Sequence, residues 1–568
     1  MNKKDVSAVL EQIAVLLELT GENPFKVRSY ENGARAIAQL DEDLETVVRE
    51  GRLRELKGVG EALEKKIVEL VTTGRLEFYE KLRARFPRSI FELFGIQSLG
   101  PKRIKVVHDE LGVDSLETLE AACRDGRVAA LKGFSDKLQQ KILDGIAFAQ
   151  RHQGSHLAHV ARMAAQAMRG HLAKDKSIVR IEVAGSTRRC KEVVKDIDIL
   201  VSSGAPEQVM RRFVDGPGVT QVVAHGDTKS SIVLEGGIAA DLRVVEDAQF
   251  PFALAYFTGS KEHNVVMRQR AKDRGLKLNE YGLFREDGAL VACRDEADIF
   301  RALDLPYIPP ELREDRGEFD AERIPDLIEW EDLLGVIHVH TPYSDGRDSP
   351  ARMAEAVRKR GGKYLVICDH SQSAAYANGM KPETVLKQHE EIDALNAKFR
   401  GFRIVKGIES DIRPNGGLDY DEDILRRFEF VIASVHSKLE MSEDEATARI
   451  IKAAENPYTD AIGHPTGRLL LTRTGYSLNY EKVFDACAAN RVAIEINSNE
   501  HRLDIDWRYI RRGKEKGVRF IISPDAHDTA GLDCIPLGAG IARKGWLEAG
   551  DVLNTLTAQD FLAWRKPH

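Results

Sequence analysis

Between residues 333 and 568 the chain repeats one pattern seven times: an apolar segment that ends in polar residues, then a helical stretch. The apolar segments are GVIHVH, YLVICDH, FRIVKGIES, FEFVIASVH, TDAIGHP, VAIEINS and VRFIISPDAH. Repeated strand–helix units imply parallel strands in one sheet, because each helix carries the chain back to the start of the next strand. Seven such units predict a closed or nearly closed (βα)7 barrel.

Histidines and acids stand at or just after the carboxyl ends of these strands, which all open onto one face of a barrel. Nine side chains of metal-ligand type are gathered in this way: His338, His340, Asp345, His370, Glu409, His436, His464, Asp525 and His527. A lone strand-end histidine is more often an ordinary core or surface residue, but that explanation does not apply independently to nine residues in one register. Imidazole with carboxylate and no thiolate suits Mn²⁺, Zn²⁺ or Fe²⁺. We expect about three ions and hydrolysis of a phosphoester.

The motifs HVHTPYSDG, CDH, SVHS, GHP and PDAH, with the strand that ends at Glu409, resemble the polymerase and histidinol phosphatase (PHP) family over residues 333–545. The resemblance implies three metal positions: His338, His340, Glu409 and Asp525 for the first, Glu409, His436 and His464 for the second, and Asp345, His370 and His527 for the third. Val336 departs from the family, which often has an acid there. None of the nine ligand positions is missing.

A second group of acids lies in a region of mixed α/β character, from about residue 178 to about residue 300. Asp196 and Asp198 are two residues apart on a predicted strand, so their side chains project from one face. Asp241 opens another predicted strand, in AADLRVV. Paired acids on a strand are commonly a solvated edge, so this pattern alone is weak.

The Gly185-Ser186 turn upstream strengthens the case for a site. Backbone N–H groups and a hydroxyl in such a turn approach a triphosphate, and Arg188 or Arg189 can neutralise it. Carboxylates beside a phosphate-binding turn predict a Mg²⁺ or Mn²⁺ site for nucleotidyl transfer.

GSTRR, DIDIL, DLRVV, YFTGSKEHNVVMRQRA and LNEYGLF closely resemble the family X DNA polymerases in order and spacing, from residue 1 to about 315. The resemblance implies that Asp196, Asp198 and Asp241 bind two catalytic metals. It also implies roles for further residues: Gly185, Ser186 and Arg189 at the triphosphate, Tyr256, Phe257 and Gly259 at the sugar, Asn264 at the incoming base and Arg268 on the template side. Cys190 and Lys195 stand where relatives often have glycine.

The segment LKGVGEALEKKI has the pattern of a helix-hairpin-helix motif, in which glycines let backbone amides at a helix start face a DNA phosphate. Its binding residues are expected to be Gly58, Val59 and Gly60. A second copy runs from Phe94 to Lys102, with Gly95, Gly100 and Lys102 toward DNA, and LKGFSDKLQQKI is a degenerate third. Ser98 and Ser135 replace favoured glycines, and a plain helical hairpin is the alternative for any single copy.

Lys66 aligns with the Schiff-base lysine by which some family X relatives remove a 5′-deoxyribose phosphate. Ala62 stands where a second lysine can occur in those relatives, and a surface lysine is the commoner explanation. Local charge is compatible with DNA near these motifs: residues 51–110 hold 13 Lys or Arg against 9 Asp or Glu, a balance of +4, although the whole chain carries −7.

The remaining composition bounds class and location. No apolar run approaches the roughly 20 residues of a membrane span, and the first residues do not resemble a signal peptide. The six cysteines are far apart, which fits a reducing cytosol. The stretch 305–327 is the best linker candidate. We expect a helical DNA-binding domain (1–85), a helix-hairpin-helix region (86–150), a palm (151–245), a nucleotide-selection subdomain (246–315), a linker (316–332) and a PHP domain (333–568).

The sequence thus predicts a multidomain α/β enzyme that fills short gaps in DNA and processes 3′ ends as a 3′→5′ exonuclease. The expected partners are gapped or nicked double-stranded DNA and deoxynucleoside triphosphates, with no membrane. A monomer in the cytoplasm, associated with the nucleoid, is expected. The main alternative is a small-molecule or DNA-end phosphoesterase with an inactive polymerase-like scaffold, and a non-catalytic DNA-binding scaffold is a third hypothesis.

Overall fold

The structure is a computed structural model that describes residues 1, 3–38, 40, 42–96 and 98–566. Gln97, which belongs to the predicted second hairpin, lies outside the described residues. The chain forms two compact units, Met1–Gln153 and Gly154–His568. Among the described residues, no helix combines the length and the apolar character needed to cross a membrane.

The first unit is helical. Its α-helices are α1 (Lys3–Leu19), α2 (Pro24–Ala38), α3 (Leu44–Arg49), α4 (Glu61–Thr73), α5 (Glu77–Arg83), α6 (Pro101–Leu111), α7 (Leu116–Arg124) and α8 (Asp136–Arg151). In α4 the buried residues are Leu63, Ile67 and Leu70, spaced four and three apart, so one stripe faces the core. Alternation of such stripes with glycine turns explains why this segment folds as short helices.

The second unit begins with a palm built around a five-stranded sheet. Its elements are β1 (His156–Leu157), α9 (Ala158–Leu172), β2 (Ile178–Val183), α10 (Gly185–Arg188), β3 (Val193–Val194), β4 (Asp196–Ser203), α11 (Pro206–Val214), β5 (Val219–His225), β6 (Lys229–Leu234) and β7 (Ala239–Val245). The strand order is β2-β4-β7-β6-β5, with β4 and β7 parallel and the other neighbours antiparallel.

A smaller α/β part follows the palm. It contains α12 (Phe250–Thr258), α13 (Lys261–Lys272), β8 (Leu276–Asn279), β9 (Gly282–Arg285) and α14 (Glu296–Ala302). Strands β8 and β9 form an antiparallel hairpin. Its core includes Phe252, Phe300 and Leu303, all of which are buried.

The rest of the second unit is the predicted barrel. Its elements are β10 (Gly335–Val339), α15 (Pro350–Lys359), β11 (Tyr364–Ile367), α16 (Pro382–Lys398), β12 (Arg403–Asp411), α17 (Glu422–Leu425), β13 (Phe430–Ser434), α18 (Glu443–Ala454), β14 (Ala461–Ile462), α19 (Tyr480–Ala489), β15 (Ala493–Asn497), α20 (Trp507–Glu515), β16 (Phe520–Ser523), α21 (Ile535–Lys544) and α22 (Ala558–Trp564). The seven strands are parallel and follow one another in chain order. The bridge between Val339 and Ala526 nearly closes the ring. The prediction of a (βα)7 barrel is confirmed.

The segment between the polymerase-like part and the barrel is packed rather than extended in solvent. Arg313 and Glu318 are buried within it, and the Ile328 N–H donates to the Leu547 carbonyl at 2.9 Å. Short 3-10 helices in the chain are Leu53–Glu55, Arg88–Gly95, Glu235–Gly237, Pro310–Leu312, Trp330–Asp332, Ala375–Ala377, Gly531–Cys534, Ala549–Asp551 and Leu553–Thr555. The predicted linker therefore joins the two parts of the second unit by buried contacts.

Candidate active sites

All nine predicted ligands of the barrel meet at the carboxyl ends of its strands. Three groups have ligand atoms that lie within 4.8 Å of one another: His340, Asp345, His370 and His527; His338, His340 and Asp525; and His370, Glu409 and His436. His464 joins them, since its Nε2 lies 3.0 Å from Glu409 Oε1. This grouping resembles the one implied by the family likeness, but His340 and His370 each stand in two groups.

The backbone reaches this arrangement by leaving regular strand geometry. His338 has a φ of 69°, and the pairing of β10 with β11 shifts at this residue. A bulge of this kind re-aims a side chain, so simple strand alternation does not explain how His338 and His340 come together. Asp525 and His527 lie beyond the end of β16, and Asp525 has a φ of 51°. Strained conformations of this kind cluster at active sites.

Two buried acids that sequence reasoning missed orient the ligand histidines. Glu495 accepts a hydrogen bond from His338 Nδ1 at 2.5 Å, and Asp411 accepts one from His436 Nδ1 at 2.6 Å. Each bond leaves the other ring nitrogen directed at the cluster, where a metal ion would bind. The available signal was an acid between apolar neighbours in a predicted buried strand, as in AIEIN.

Unpaired buried atoms show that the cluster fits metal ions. His338 Nε2, His340 Nδ1, His370 Nδ1 and Glu409 Oε2 are buried without a hydrogen-bond partner. His370 Nδ1 lies 2.7 Å from Glu409 Oε2 and yet forms no hydrogen bond with it. Buried polar atoms are rarely left unsatisfied, so this arrangement fits a site for a shared cation. Burial and the neighbouring imidazoles lower the pKa of His340 to about 3, which keeps its ring neutral and able to ligate.

The palm brings its three acids together on adjacent strands. Asp198 on β4 is the direct partner of Asp241 on the parallel strand β7, and Asp196 is two residues before Asp198. Burial, followed by the charges of Asp196 and Asp241, raises the pKa of Asp198 to about 6. Mutual repulsion of this kind is what a divalent cation relieves.

The Gly185 turn lies directly against this group. Gly185 has a φ of 63°, and a Cβ added to it would overlap a carboxylate oxygen of Asp198 and lie 3.0 Å from its Cγ. The turn therefore requires glycine for two reasons, the backbone conformation and the close approach. Asp241 is held by Lys229 Nζ at 2.7 Å and by the Ser231 hydroxyl, which donates at 2.6 Å. Among the described residues, the three-ligand groups within 4.8 Å are all in the barrel, so these carboxylates are more widely spaced.

Both arginines of the turn are engaged in ion pairs. Arg188 forms two hydrogen bonds with Glu296, at 3.0 and 2.7 Å. Arg189, the predicted triphosphate ligand, donates from Nε to Glu314 at 3.0 Å and from Nη1 to the Thr258 carbonyl at 2.8 Å. In this structure, therefore, both guanidinium groups are bound by partners within the protein.

The predicted sugar and base contacts lie on α12 and α13. The Asn264 amide donates to the Tyr256 carbonyl at 2.7 Å and to the Gly259 carbonyl at 3.3 Å. These two hydrogen bonds of Asn264 stabilise the segment that contains Tyr256, Phe257 and Gly259. Arg268 is exposed on α13. The individual roles of these residues in nucleotide binding stay predictions.

The three hairpins of the first unit share one backbone geometry. In each hairpin, the residue two positions before the N-cap of the second helix has a positive φ. These residues are Gly58 at 102°, Ser98 at 70° and Gly133 at 88°. The N-caps that follow are Gly60, Gly100 and Ser135. Ser98 therefore adopts the conformation of the glycine that it replaces. Backbone N–H groups are free at the starts of α4 and α6, where an anion can bind; in α6 the first such group belongs to Lys102, because Pro101 has none. Val59 is buried, and Gly95 ends the 3-10 helix before the second hairpin.

Lys66 lies on α4 beside two aromatic rings. Its Nζ is 5.0 Å from the centre of the Phe78 ring and 5.8 Å from that of Tyr30. Burial and the charge of Lys26 lower the pKa of Lys66. A lowered pKa increases the fraction of neutral, nucleophilic amine, which a Schiff-base role requires.

Four segments of the chain match known protein families. Residues 1–76 match a helix-hairpin-helix domain, 90–147 a SAM-like helix-hairpin-helix tandem, 253–314 the DNA polymerase beta thumb and 337–499 the PHP domain. The tandem match includes the second and third hairpins, which the sequence motifs alone supported weakly.

One relative spans the whole chain. The chain is 38% identical to the DNA polymerase/3'-5' exonuclease PolX of Bacillus subtilis over an alignment of 571 positions that covers all of both chains. The chain belongs to the family X DNA polymerases that carry a PHP domain. This family X chain is also 25% identical to rat DNA polymerase lambda over an alignment of 293 positions that covers 46% of this chain and 48% of the rat protein. It is 31% identical over 199 residues to a probable phosphatase of Acetivibrio thermocellus, covering 34% of this chain and 78% of that protein.

Proposed function

We propose that this family X polymerase adds nucleotides at gaps in DNA with its palm site and shortens or cleans 3′ ends with its barrel site. The observation that carries the proposal is the presence of two separate groups of metal-ligand side chains in one chain. One is the carboxylate triad beside the Gly185 turn, and the other is the cluster of nine histidines and acids. The relative from Bacillus subtilis is named for the same two activities.

At the palm site, Asp196, Asp198 and Asp241 would hold Mg²⁺ or Mn²⁺. Bound cations at either site lower the pKa of the attacking oxygen and neutralise phosphate charge. The chain itself orients the nucleotide: the backbone of the Gly185-Ser186 turn donates to phosphate oxygens, and Arg189 supplies a positive charge.

At the barrel site the nine ligands would hold about three ions of Mn²⁺, Zn²⁺ or Fe²⁺. Glu495 and Asp411 fix the orientation of His338 and His436, so these imidazoles need no reorganisation when a substrate arrives. Arg502 lies at the same site, with its Nε 3.6 Å from Asp525 Oδ2, and can pair with a phosphate of the DNA.

The hairpins would hold the DNA by its phosphates, through Gly58, Val59 and Gly60 in the first copy and Gly95, Gly100 and Lys102 in the second. Phosphate contacts carry no sequence preference, which suits a gapped or nicked duplex. We propose that the enzyme uses deoxynucleoside triphosphates, acts as a monomer and works in the cytoplasm on nucleoid DNA. Lys66 is proposed as the residue for removal of a 5′-deoxyribose phosphate.

A second candidate for the barrel site is phosphomonoester hydrolysis. Its support is the likeness of the barrel to probable phosphatases, which covers only this part of the chain. In that case the barrel would remove a 3′ phosphate from DNA or act on a small phosphoester.

The test is incubation of the protein with Mn²⁺ and a gapped duplex labelled on the primer. We expect extension of the primer when nucleotides are present and stepwise shortening when they are absent. A parallel duplex that ends in a 3′ phosphate separates exonuclease from phosphatase action. No extension under any condition would refute the polymerase assignment, and no loss of either a nucleotide or a phosphate would refute the assignment of the barrel.

A further inference from the structure

A buried lysine of the barrel contacts the palm at Arg189, just after the Gly185-Ser186 turn. Lys544, the last residue of α21, is fully buried. Its Nζ donates to Glu314 Oε1 at 2.7 Å, to the Arg189 carbonyl at 2.9 Å and to the Glu311 carbonyl at 3.1 Å. All of these acceptors belong to the polymerase-like part of the chain. A lysine is almost never fully buried unless it is paired, so this contact is specific.

The carboxylate of Glu314 is shared between two cations. The same oxygen, Oε1, accepts from Lys544 Nζ and from Arg189 Nε at 3.0 Å, while Lys191 is farther away at 3.9 Å. The side chains of Arg189 and Glu314 are only 12% and 10% exposed. Glu314 is thus a buried anion whose two close counter-charges come from the palm and from the barrel.

The turn is also packed against α21 by shape. A Cβ added at Gly540 would lie 2.9 Å from the Cys190 sulphur and 3.2 Å from its Cβ, so a larger residue at position 540 would push the Cys190 side chain. Cys190 itself has a φ of 53°, in the conformation that favours glycine. Helix α21 therefore packs against Cys190, which follows Arg189, and also contacts Glu314, the acid that pairs with Arg189.

Arg189 has to exchange partners during nucleotide binding. To reach a triphosphate its guanidinium must leave Glu314, and a buried carboxylate without a counter-charge is strongly unfavourable. Lys544 remains on Glu314 when Arg189 leaves. Lys544 also stays fixed, because its Nζ lies 4.4 Å from the centre of the Trp507 ring and holds two backbone carbonyls.

We propose that Lys544 of the barrel is a positioning residue for the polymerase reaction, which neutralises Glu314 so that Arg189 is free to bind the incoming nucleotide. The proposal rests on the proposed function, since it presumes that Arg189 contacts the triphosphate. It gives the barrel a role in nucleotide affinity that does not depend on its own metal site.

The test is Lys544→Met in the full chain, assayed for incorporation on gapped DNA at varied nucleotide concentration. We expect the KM for the nucleotide to rise about tenfold, the typical effect of a charged hydrogen bond, with kcat changed much less. Exonuclease activity should stay at the wild-type level, which also shows that the barrel is folded. Lys514→Met is the matched control: Lys514 pairs with Glu548 and Asp551 inside the barrel and should leave the KM unchanged.

The double variant Lys544→Met with Glu314→Gln separates positioning from structural support. Because it removes the carboxylate that retains Arg189, the KM should return close to the wild-type value. If Lys544→Met does not fold, Glu314→Gln alone serves, and its KM should be at or below that of the wild type. An unchanged KM in Lys544→Met, or a raised KM that the second substitution does not restore, would overturn the inference. A wild-type protein that adds no nucleotide would instead refute the proposed function.

Discussion

Gly185→Ala tests how closely the Gly185-Ser186 turn and the carboxylates of the palm are packed. The new methyl group would overlap an oxygen of Asp198 and lie 3.0 Å from its Cγ, where ordinary contact between carbon atoms is about 3.5 Å or more. The carboxylate would therefore have to move by about 1 Å, and a displacement of that size in an active site reduces the rate by about 100-fold. The φ of 63° adds roughly 1–2 kcal/mol of backbone strain for a residue with a Cβ.

The assay is incorporation on gapped DNA under saturating nucleotide, together with exonuclease activity on a single strand. We expect Gly185→Ala to lose about two orders of magnitude in incorporation and to keep its exonuclease activity. Gly204→Ala is the matched control, because this glycine follows β4 in the same sheet and has open space around its Cα. Wild-type incorporation by Gly185→Ala would refute the claim that Asp198 is placed by this contact.

Two further predictions concern buried acids. Glu495→Gln should weaken metal binding at the barrel by about 10- to 100-fold, because Glu495 orients His338. Titration with a metal buffer measures the affinity. The control is Asp460→Asn, which changes a buried acid just before β14 and should leave the affinity for metal unchanged. Burial would raise the pKa of Glu296, but Arg313 and Arg188 together outweigh burial and lower the pKa to about 2. This stabilisation is complete above the unfolded value near 4.5 and is lost as the pH falls through about 2. In urea unfolding, Glu296→Gln should therefore lower the free energy of unfolding by about 3 kcal/mol at pH 7 and by about 1 kcal/mol at pH 3.

The barrel was predictable because its signals are local. Each strand is a short apolar run, and each predicted ligand stands at a strand end or in the loop after it, so the topology brings the nine residues to one end of the barrel. The grouping of the palm acids was predictable for the same reason, since Asp198 and Asp241 stand on two predicted strands that pair as neighbours.

The details of each site were not predictable from strand periodicity. His338 reaches the cluster through a bulge with a φ of 69°, which alternation along a strand does not indicate. Glu495 was overlooked because a single acid in an apolar strand has no partner in the sequence. Ser98 shows the opposite case, since a serine in a glycine position keeps the glycine conformation when the surrounding hairpin requires it.

The contact between the barrel and the segment that contains Arg189 and Cys190 could not be predicted from the sequence. Lys544 and Glu314 are 230 residues apart, and their pairing depends on how α21 packs against the turn that contains Cys190. The sequence indicated a linker between the two parts of the second unit, whereas the structure shows buried ion pairs there. Such contacts follow from tertiary packing and carry no local motif.

The measurement that tests the account most directly is the reciprocal loss of the two activities in paired variants. Asp196→Ala with Asp198→Ala should abolish primer extension on gapped DNA and leave primer shortening intact. His338→Ala with His340→Ala should abolish shortening and leave extension intact, because the two groups of ligands belong to different sheets. Loss of both activities in either pair, with the protein still folded, would contradict two independent metal sites.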